Sequence, residues 1–181
     1  LYFLAIILAY VLCFGLTSVL IAPLQSIFLP ELTVFASLIY LPHGVRVLAT
    51  WAYGWRAIPA LFLAGGVSAW LFRGEQDIEI LSPMLVESLL VGACCAFLAF
   101  EVARFFGFRA YLGQERRLHW KDMLALGLLS SLFNSIGQII VFYGLVGVES
   151  AISVAAIYAV GDLLGLVVCM FALMLVFRWL R

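Results

Sequence analysis

The chain has 181 residues, of which 66% are hydrophobic and only 11% charged, with a mean hydropathy of +1.19. That leaves too little polar surface to cover a water-soluble globule, while apolar runs repeatedly reach the ~20 residues that cross ~30 Å of hydrocarbon. Ten basic residues balance ten acidic ones, so the total gives no electrostatic support for a nucleic-acid partner, and the expected surroundings are the lipid bilayer.

Lipid permits only helices or closed barrels, and these runs do not alternate as barrel strands would. The fold class expected is therefore all-α: one polytopic membrane domain over residues 1–181, with about six transmembrane helices. Apolar length and breakers place them at 1–24, 32–53, 56–72, 82–106, 120–146 and 150–177. Leu1 stands directly inside an apolar run with no initiator Met or basic leader, so the natural amino terminus is expected upstream.

The first run carries Ala5 and Ala9 four apart, a small-residue face suited to close helix contact. The second contains Pro42, His43, Gly44 and Arg46. There Pro42 predicts either a simple kink or a break, after which a restarted helix would aim free N–H groups at whatever lies before it. Gly65, Gly66 and Ala69 mark a packing face in the third run. The fourth holds Cys94 and Cys95 and ends on Glu101 and Arg104, a local pair three apart. Cys13, Cys94, Cys95 and Cys169 lack paired spacing and read as small buried hydrophobes. Ser131, Asn134 and Gln138 lie along the fifth run. The sixth carries Ala151, Ala155 and Ala159, then Gly161, Asp162 and Gly165. The alanines and glycines there form close-packing strips, for helices of this chain or for a partner.

If the amino terminus is cytoplasmic, the inner side receives Arg56, Arg104, Arg109, Arg116, Arg117, Lys121, Arg178 and Arg181, and the outer side only Arg73 beside Glu75, Asp77 and Glu79. This split supports an even number of spans with both ends cytoplasmic. Trp55, Trp120 and Trp179 near the inner edges and Trp70 near the outer edge fit interfacial anchoring.

Two charges, Arg46 and Asp162, fall well inside spans, where a charge costs ~2.5–3.5 kcal/mol or more and so calls for a partner. His43, Asn134 and Asp162 are expected near one depth, with Arg46 a turn deeper and leaning back toward them. An Arg46–Asp162 ion pair follows, with Ser131, Asn134 and Gln138 adding hydrogen-bonding groups. One reading of this layer is structural, with the charges neutralising each other and the amides joining helices. The other is a ligand or proton site. One His and one Asp supply too few ligands for a metal, and histidines at 43 and 119 assemble no nucleophile with its base and orienting acid, so no enzyme is expected.

Leu41-Pro42-His43-Gly44, followed by Tyr53-Gly54-Trp55-Arg56-Ala57-Ile58-Pro59-Ala60-Leu61-Phe62-Leu63-Ala64-Gly65, resembles the P-x-G, F/Y-G and W-P-x-x-F-L-G pattern of membrane-associated sensor (MASE-type) domains. Gly161-Asp162-Leu163-Leu164-Gly165 is similar to that family's G-D-x-x-G signature. The family is similar in turn to the S-components of energy-coupling factor transporters. The resemblance implies a multi-pass protein of the bacterial inner membrane whose output is absent, lies on a longer chain of which this is a fragment, or belongs to a separate membrane or cytoplasmic partner. Members carry about eight spans and an output domain, which this chain does not show, and His43 and Arg46 replace small or apolar residues of the pattern.

The function expected is a non-enzymatic sensor-like module binding a small ligand, anionic by the chemistry of Arg46, or a membrane partner. Arg46 would hold the anion, Asp162 would fix Arg46 and be displaced or protonated on binding, and His43, Asn134 and Gln138 would complete the site; no cofactor is assigned. The alternatives are an S-component-like transporter subunit, for which Ala5 and Ala9 would form the coupling surface, and an accessory or assembly subunit of a larger membrane complex.

Overall fold

Apolar runs free of interior breakers fold as helices in the computed structural model, which describes residues 1–28, 37–72, 82–114, 118–142 and 148–179, with side chains in the last segment taken from 156 and from 158 onward. The helices are α1 (Tyr2–Gly15), a π-helical stretch Leu16–Ile21 leading into α2 (Ala22–Phe28), α3 (Leu41–Tyr53), a 3₁₀ turn Gly54–Arg56, α4 (Ala57–Phe72), α5 (Pro83–Phe105), α6 (Trp120–Val141) and α7 (Val148–Trp179). No strand occurs among the described residues. Local chemistry sets several of the starts. Ser82 caps α5, its hydroxyl accepting from Leu85 N–H at 3.3 Å with Pro83 in the first turn. Asp122 reaches back to His119 N–H at 3.0 Å at the head of α6.

Five stretches are long and apolar enough to cross a membrane, which makes this a multi-pass membrane protein: Tyr2–Ile27, Leu41–Phe72, Pro83–Phe105, Trp120–Val141 and Tyr158–Trp179. The second of them folds back on itself. Gly54, at φ +58°, takes a backbone conformation that L side chains rarely adopt and ends α3. Tyr53 stacks on Tyr2 at 4.9 Å, Leu41 N–H meets Thr17, and Phe72 packs against Phe14 at 5.8 Å. Thus α3 runs antiparallel to α1, α4 runs parallel to it, and residues 41–72 form a helical hairpin.

Cross-contacts order the rest. Val91 lies beside Gly137 and Cys95 beside Ser130, so α5 and α6 are antiparallel. Ser131 meets Asp162 and Gly127 meets Leu166, so α6 and α7 are also antiparallel. Helix α3 occupies the middle, in contact with α1, α5, α6 and α7. On one side Ile6, Tyr10, Ala57, Ala60, Leu61 and Ala93 form a core of small and aliphatic side chains. On the other, Val47, Ala96, Phe100, Met123, Leu126 and Leu166 do so. Arg56, Arg104, Lys121 and Arg178 gather at the end of the bundle where α3, α5 and α7 finish. There the Tyr111 phenol donates to Glu101 Oε1 at 2.7 Å, and burial together with that bond holds the phenol above its ordinary range. Trp55, Trp70, Trp120 and Trp179 face outward.

Several expectations are adjusted. The first helix continues to Phe28 through its π-helical stretch, and α7 extends over Val148–Trp179. The second was expected from residue 32, yet residues 37–40 are not helical and α3 starts at Leu41. Pro42 in its first turn, without an N–H to offer, suits that start. Residues 32–36 and 143–146, Arg73, Glu75, Asp77, Glu79, Arg116, Arg117 and Arg181, and the side chains of Ala151 and Ala155, lie outside the described residues.

Candidate ligand-binding site

A helix that begins inside a bundle must find partners for its first N–H groups and for the chain leading into it. Leu41, Pro42, His43 and Gly44 are all buried, so α3 does begin inside. The leading segment is met group by group. Leu38 N–H donates to Gln25 Oε1 at 2.7 Å, Tyr40 N–H to Gly161 O at 2.9 Å, and Leu41 N–H to Thr17 Oγ1 at 3.3 Å. Thr17, buried in the π-helical stretch, in turn donates to Cys13 O at 3.0 Å. Residues 37–40 lie directly on α7 because Gly161 and Gly165 have no side chains; a Cβ at either would strike Ser37 O or Tyr40 O. The Gly161/Gly165 strip thus accommodates the non-helical backbone of residues 37–40 in addition to the start of α3.

Behind this crossing lies the polar layer. His43 and Asp162 are fully buried, with Nδ1 3.3 Å from Asp162 Oδ2. His43 Nε2 lies 3.1 Å from Gly127 O. A carbonyl only accepts, so Nε2 carries a hydrogen. Nδ1 faces the Asp162 carboxylate at 3.3 Å without hydrogen-bond alignment and has no other partner. Ser131 Oγ donates to the same Oδ2 at 2.6 Å, and Asp162 Oδ1 has no partner.

Arg46 does not form the expected pair with Asp162: among the described residues no carboxylate lies within 4 Å of it. His43 and Ser131 occupy the carboxylate instead. The guanidinium turns to α1, where Nη2 donates to Tyr10 Oη at 2.9 Å, and it lies 5.7 Å from the Tyr10 ring centre and 5.5 Å from that of Tyr40. Gly92 makes room for it, since a Cβ there would sit 2.7 Å from Nη2. The aromatic faces offset part of the cost of burying the cation, about 0.5–2 kcal/mol. Arg46 is only 9% exposed and its Nη1 has no partner.

A cavity of about 280 Å³ opens beside these groups. Arg46, Asn134, Gln138 and Asp162 line it, with Tyr10, Phe14, Tyr40, Phe142 and Tyr158 supplying aromatic wall. Asn134 is buried with Oδ1 unpartnered. Gln138 is engaged, accepting from Ser88 Oγ at 2.9 Å and donating to Ser88 O at 3.1 Å, which joins α5 to α6. His43 stands behind Asp162 and does not line the cavity. Among the described residues no group of three or more metal-ligating side chains assembles.

The small-residue strips divide. Gly65 faces Leu89 in close packing, as expected. Ala5 and Ala9 were expected chiefly in internal contacts but are exposed, because Ile6 and Tyr10 take the buried face of α1. They line a groove of about 370 Å³ with Cys13, Cys169 and Val176. Ala159 is half-buried. Tyr10, Tyr40, Thr17 and Gln25 were not anticipated; the available signal was a polar group inside an otherwise apolar run. Searches of protein-family profiles, curated proteins and solved structures find no match to this chain.

Proposed function

We propose that this chain is a non-enzymatic recognition module of a multi-pass membrane protein, binding a small ligand with an anionic group in the cavity beside Arg46. The observation that carries the reading is the state of that side chain. It is a cation nine-tenths buried, cradled by two tyrosine rings, with no carboxylate in ion-pair range among the described residues, with Nη1 unpartnered, on a residue that lines a cavity. An ionisable group held this way inside a membrane is expensive unless something completes it, and an anion does so. Asn134 sits at the same cavity and orients the bound molecule.

The reading includes six crossings, with α3 and α4 counted separately and both chain ends cytoplasmic. The basic end of the bundle formed by Arg56, Arg104, Lys121 and Arg178 supports it. The resemblance to membrane-associated sensor domains supports a role in signal transduction in a bacterial inner membrane, with output through a separate partner. Thermal stability of the purified chain in detergent against a panel of small carboxylates and phosphates tests binding. At least one should stabilise wild type and none Arg46→Gln; stabilisation that survives Arg46→Gln overturns the assignment.

A transport role is favoured by a different observation, the exposed groove along Ala5 and Ala9, which suits a close-packed helix of a coupling protein. It predicts co-purification with a larger membrane protein, lost when Ala5 and Ala9 become Leu.

A further inference from the structure

We infer that the basic end of the bundle carries a second binding site, a cleft that takes the phosphodiester headgroup of an anionic lipid from the leaflet at that end. The cleft has a volume of about 340 Å³ and shares no lining residue with the cavity beside Arg46. Three pieces of chain build it. Helix α3 ends at Tyr53 and turns through Gly54–Arg56, which brings Trp55 and Arg56 to the cleft. Helix α5 contributes Glu101 and Arg104, three residues apart. The segment after α5 returns to the end of α3, where Leu112 N–H donates to Trp51 O at 2.9 Å, and it sets Tyr111 and Leu112 in the wall.

Charge on the wall favours an anion. Arg56 and Arg104 stand against one carboxylate, Glu101, among the described lining residues. That carboxylate is already engaged: Oε1 accepts the Tyr111 phenol at 2.7 Å, and its two oxygens face Arg104 Nη1 at 3.4 and 3.3 Å. Arg104 uses a single nitrogen there, and among the described residues no carboxylate lies within 4 Å of Arg56. Two guanidiniums from separate elements therefore offer forked donors to one space, the geometry that phosphate oxygens accept. The excess of one positive charge matches the single negative charge of a phosphodiester. Position favours a lipid over a free phosphate. Tyr53, Trp55 and Leu112 border the same cleft and are exposed, at the level where α3 and α5 finish and where aromatic side chains meet lipid headgroups. A soluble phosphate leaves that apolar border uncovered, whereas a lipid places its phosphate at the arginines and its glycerol and upper chain carbons against the rings. About 340 Å³ equals roughly eleven waters at ~30 Å³ each, room for a glycerophosphate group on the order of ten heavy atoms.

The test is native mass spectrometry of the chain in detergent, titrated with dioleoyl phosphatidylglycerol, dioleoyl phosphatidylcholine and inorganic phosphate. Phosphatidylglycerol should bind about fivefold or more tightly than phosphatidylcholine, whose ammonium brings a positive charge beside the guanidiniums. Arg56→Gln and Arg104→Gln should each weaken phosphatidylglycerol binding about fivefold. Lys121→Gln should leave it unchanged, because Lys121 belongs to the same end of the bundle but does not line the cleft. An equal loss in Lys121→Gln shows diffuse attraction to a basic surface and overturns the site, as does equal binding of the two lipids by wild type. Inorganic phosphate bound through the same two arginines, with no preference between the lipids, overturns the lipid as the source in favour of a soluble phosphate. Arg46→Gln should not alter phosphatidylglycerol binding; a loss there moves the lipid to the other cavity and overturns this assignment while sparing Arg46 as an anion holder. Arg56 and Arg104 are exposed, so their variants should melt like wild type without lipid, and the wild-type comparison of the two lipids decides even where a variant does not fold.

Discussion

Replacing Gly165 with Ala tests the central crossing of the fold. A Cβ at this position falls on Tyr40 O and lies 3.0 Å from Leu41 N, both backbone atoms. The segment must retreat by about 1 Å or more before these atoms reach the ~3.5–4.0 Å of ordinary contact. Overpacking of this kind costs about 1–3 kcal/mol. The retreat also weakens the 2.9 Å bond from Tyr40 N–H to Gly161 O, worth about 1 kcal/mol. Against this, Ala gains about 1 kcal/mol over Gly in helix propensity. The net expectation is a loss of about 1–3 kcal/mol, measured by reversible unfolding in mixed micelles. Gly66→Ala is the control: its nearest neighbour is Leu89 Cδ1 at 4.0 Å, so it should be neutral or stabilising by up to ~1 kcal/mol. If Gly165→Ala proves as stable as Gly66→Ala, residues 37–40 do not lie on α7 as described.

Gly92→Ala should displace the guanidinium of Arg46 from its place 2.7 Å from the new methyl, weakening carboxylate binding at least several-fold in calorimetry while stability changes little, because the atom that must move ends a flexible side chain. Arg46→Met should leave the unliganded protein at least as stable by thermal melting, since it removes a buried cation without a carboxylate, and should abolish ligand-induced stabilisation. Cys13 and Cys169 line one groove from α1 and α7, so mild oxidation should cross-link them intramolecularly, seen as a gel-mobility shift absent from Cys13→Ser. The raised Tyr111 phenol should remain neutral beyond pH 10 in the fold, read as late tyrosinate absorbance. Its contribution to stability is fully present below the unfolded value and is lost as pH rises from there through the folded one; Tyr111→Phe should remove the late step.

Helix existence was legible because crossing a bilayer demands long apolar runs, and five remain visible by length and composition alone. The turn at Gly54 was legible too, from Gly54 and Trp55 between runs, where hydropathy by itself merges residues 41–72 into one stretch. Pro42 marked the place where α3 begins but left kink and break open. The choice was settled by Thr17, Gln25 and Gly161, from other runs, which supply the hydrogen bonds a break requires. The partner of Arg46 was misread for a similar reason. Sequence ranks opposite charges first, yet Asp162 was taken by His43 and Ser131, and the acceptor proved to be the hydroxyl of Tyr10 in a run without any charge. Which face of α1 turns inward depends on the helices packed against it, so Ala5 and Ala9 looked like packing residues and are exposed.

The polar layer contains its own comparison between structural and ligand-binding roles. Where amides join helices, valences are met: Gln138 uses both its oxygen and its nitrogen on Ser88. The backbone of residues 37–41 is met with equal care by Gln25, Thr17 and Gly161. A layer serving only assembly would extend that pattern to its charged members, because an unmet buried polar atom costs about 1–3 kcal/mol. Arg46 Nη1, Asn134 Oδ1 and Asp162 Oδ1 are without partners on three residues that line the cavity, as are His43 Nδ1, Thr50 Oγ1, Ser68 Oγ and Ser135 Oγ on residues away from it. What sets the first three apart is that their residues border one space, which a bound molecule can fill. Replacing Arg46 and Asp162 with apolar residues should remove ligand response under the binding reading, whereas under a purely structural role the replacement should cost little in either stability or function.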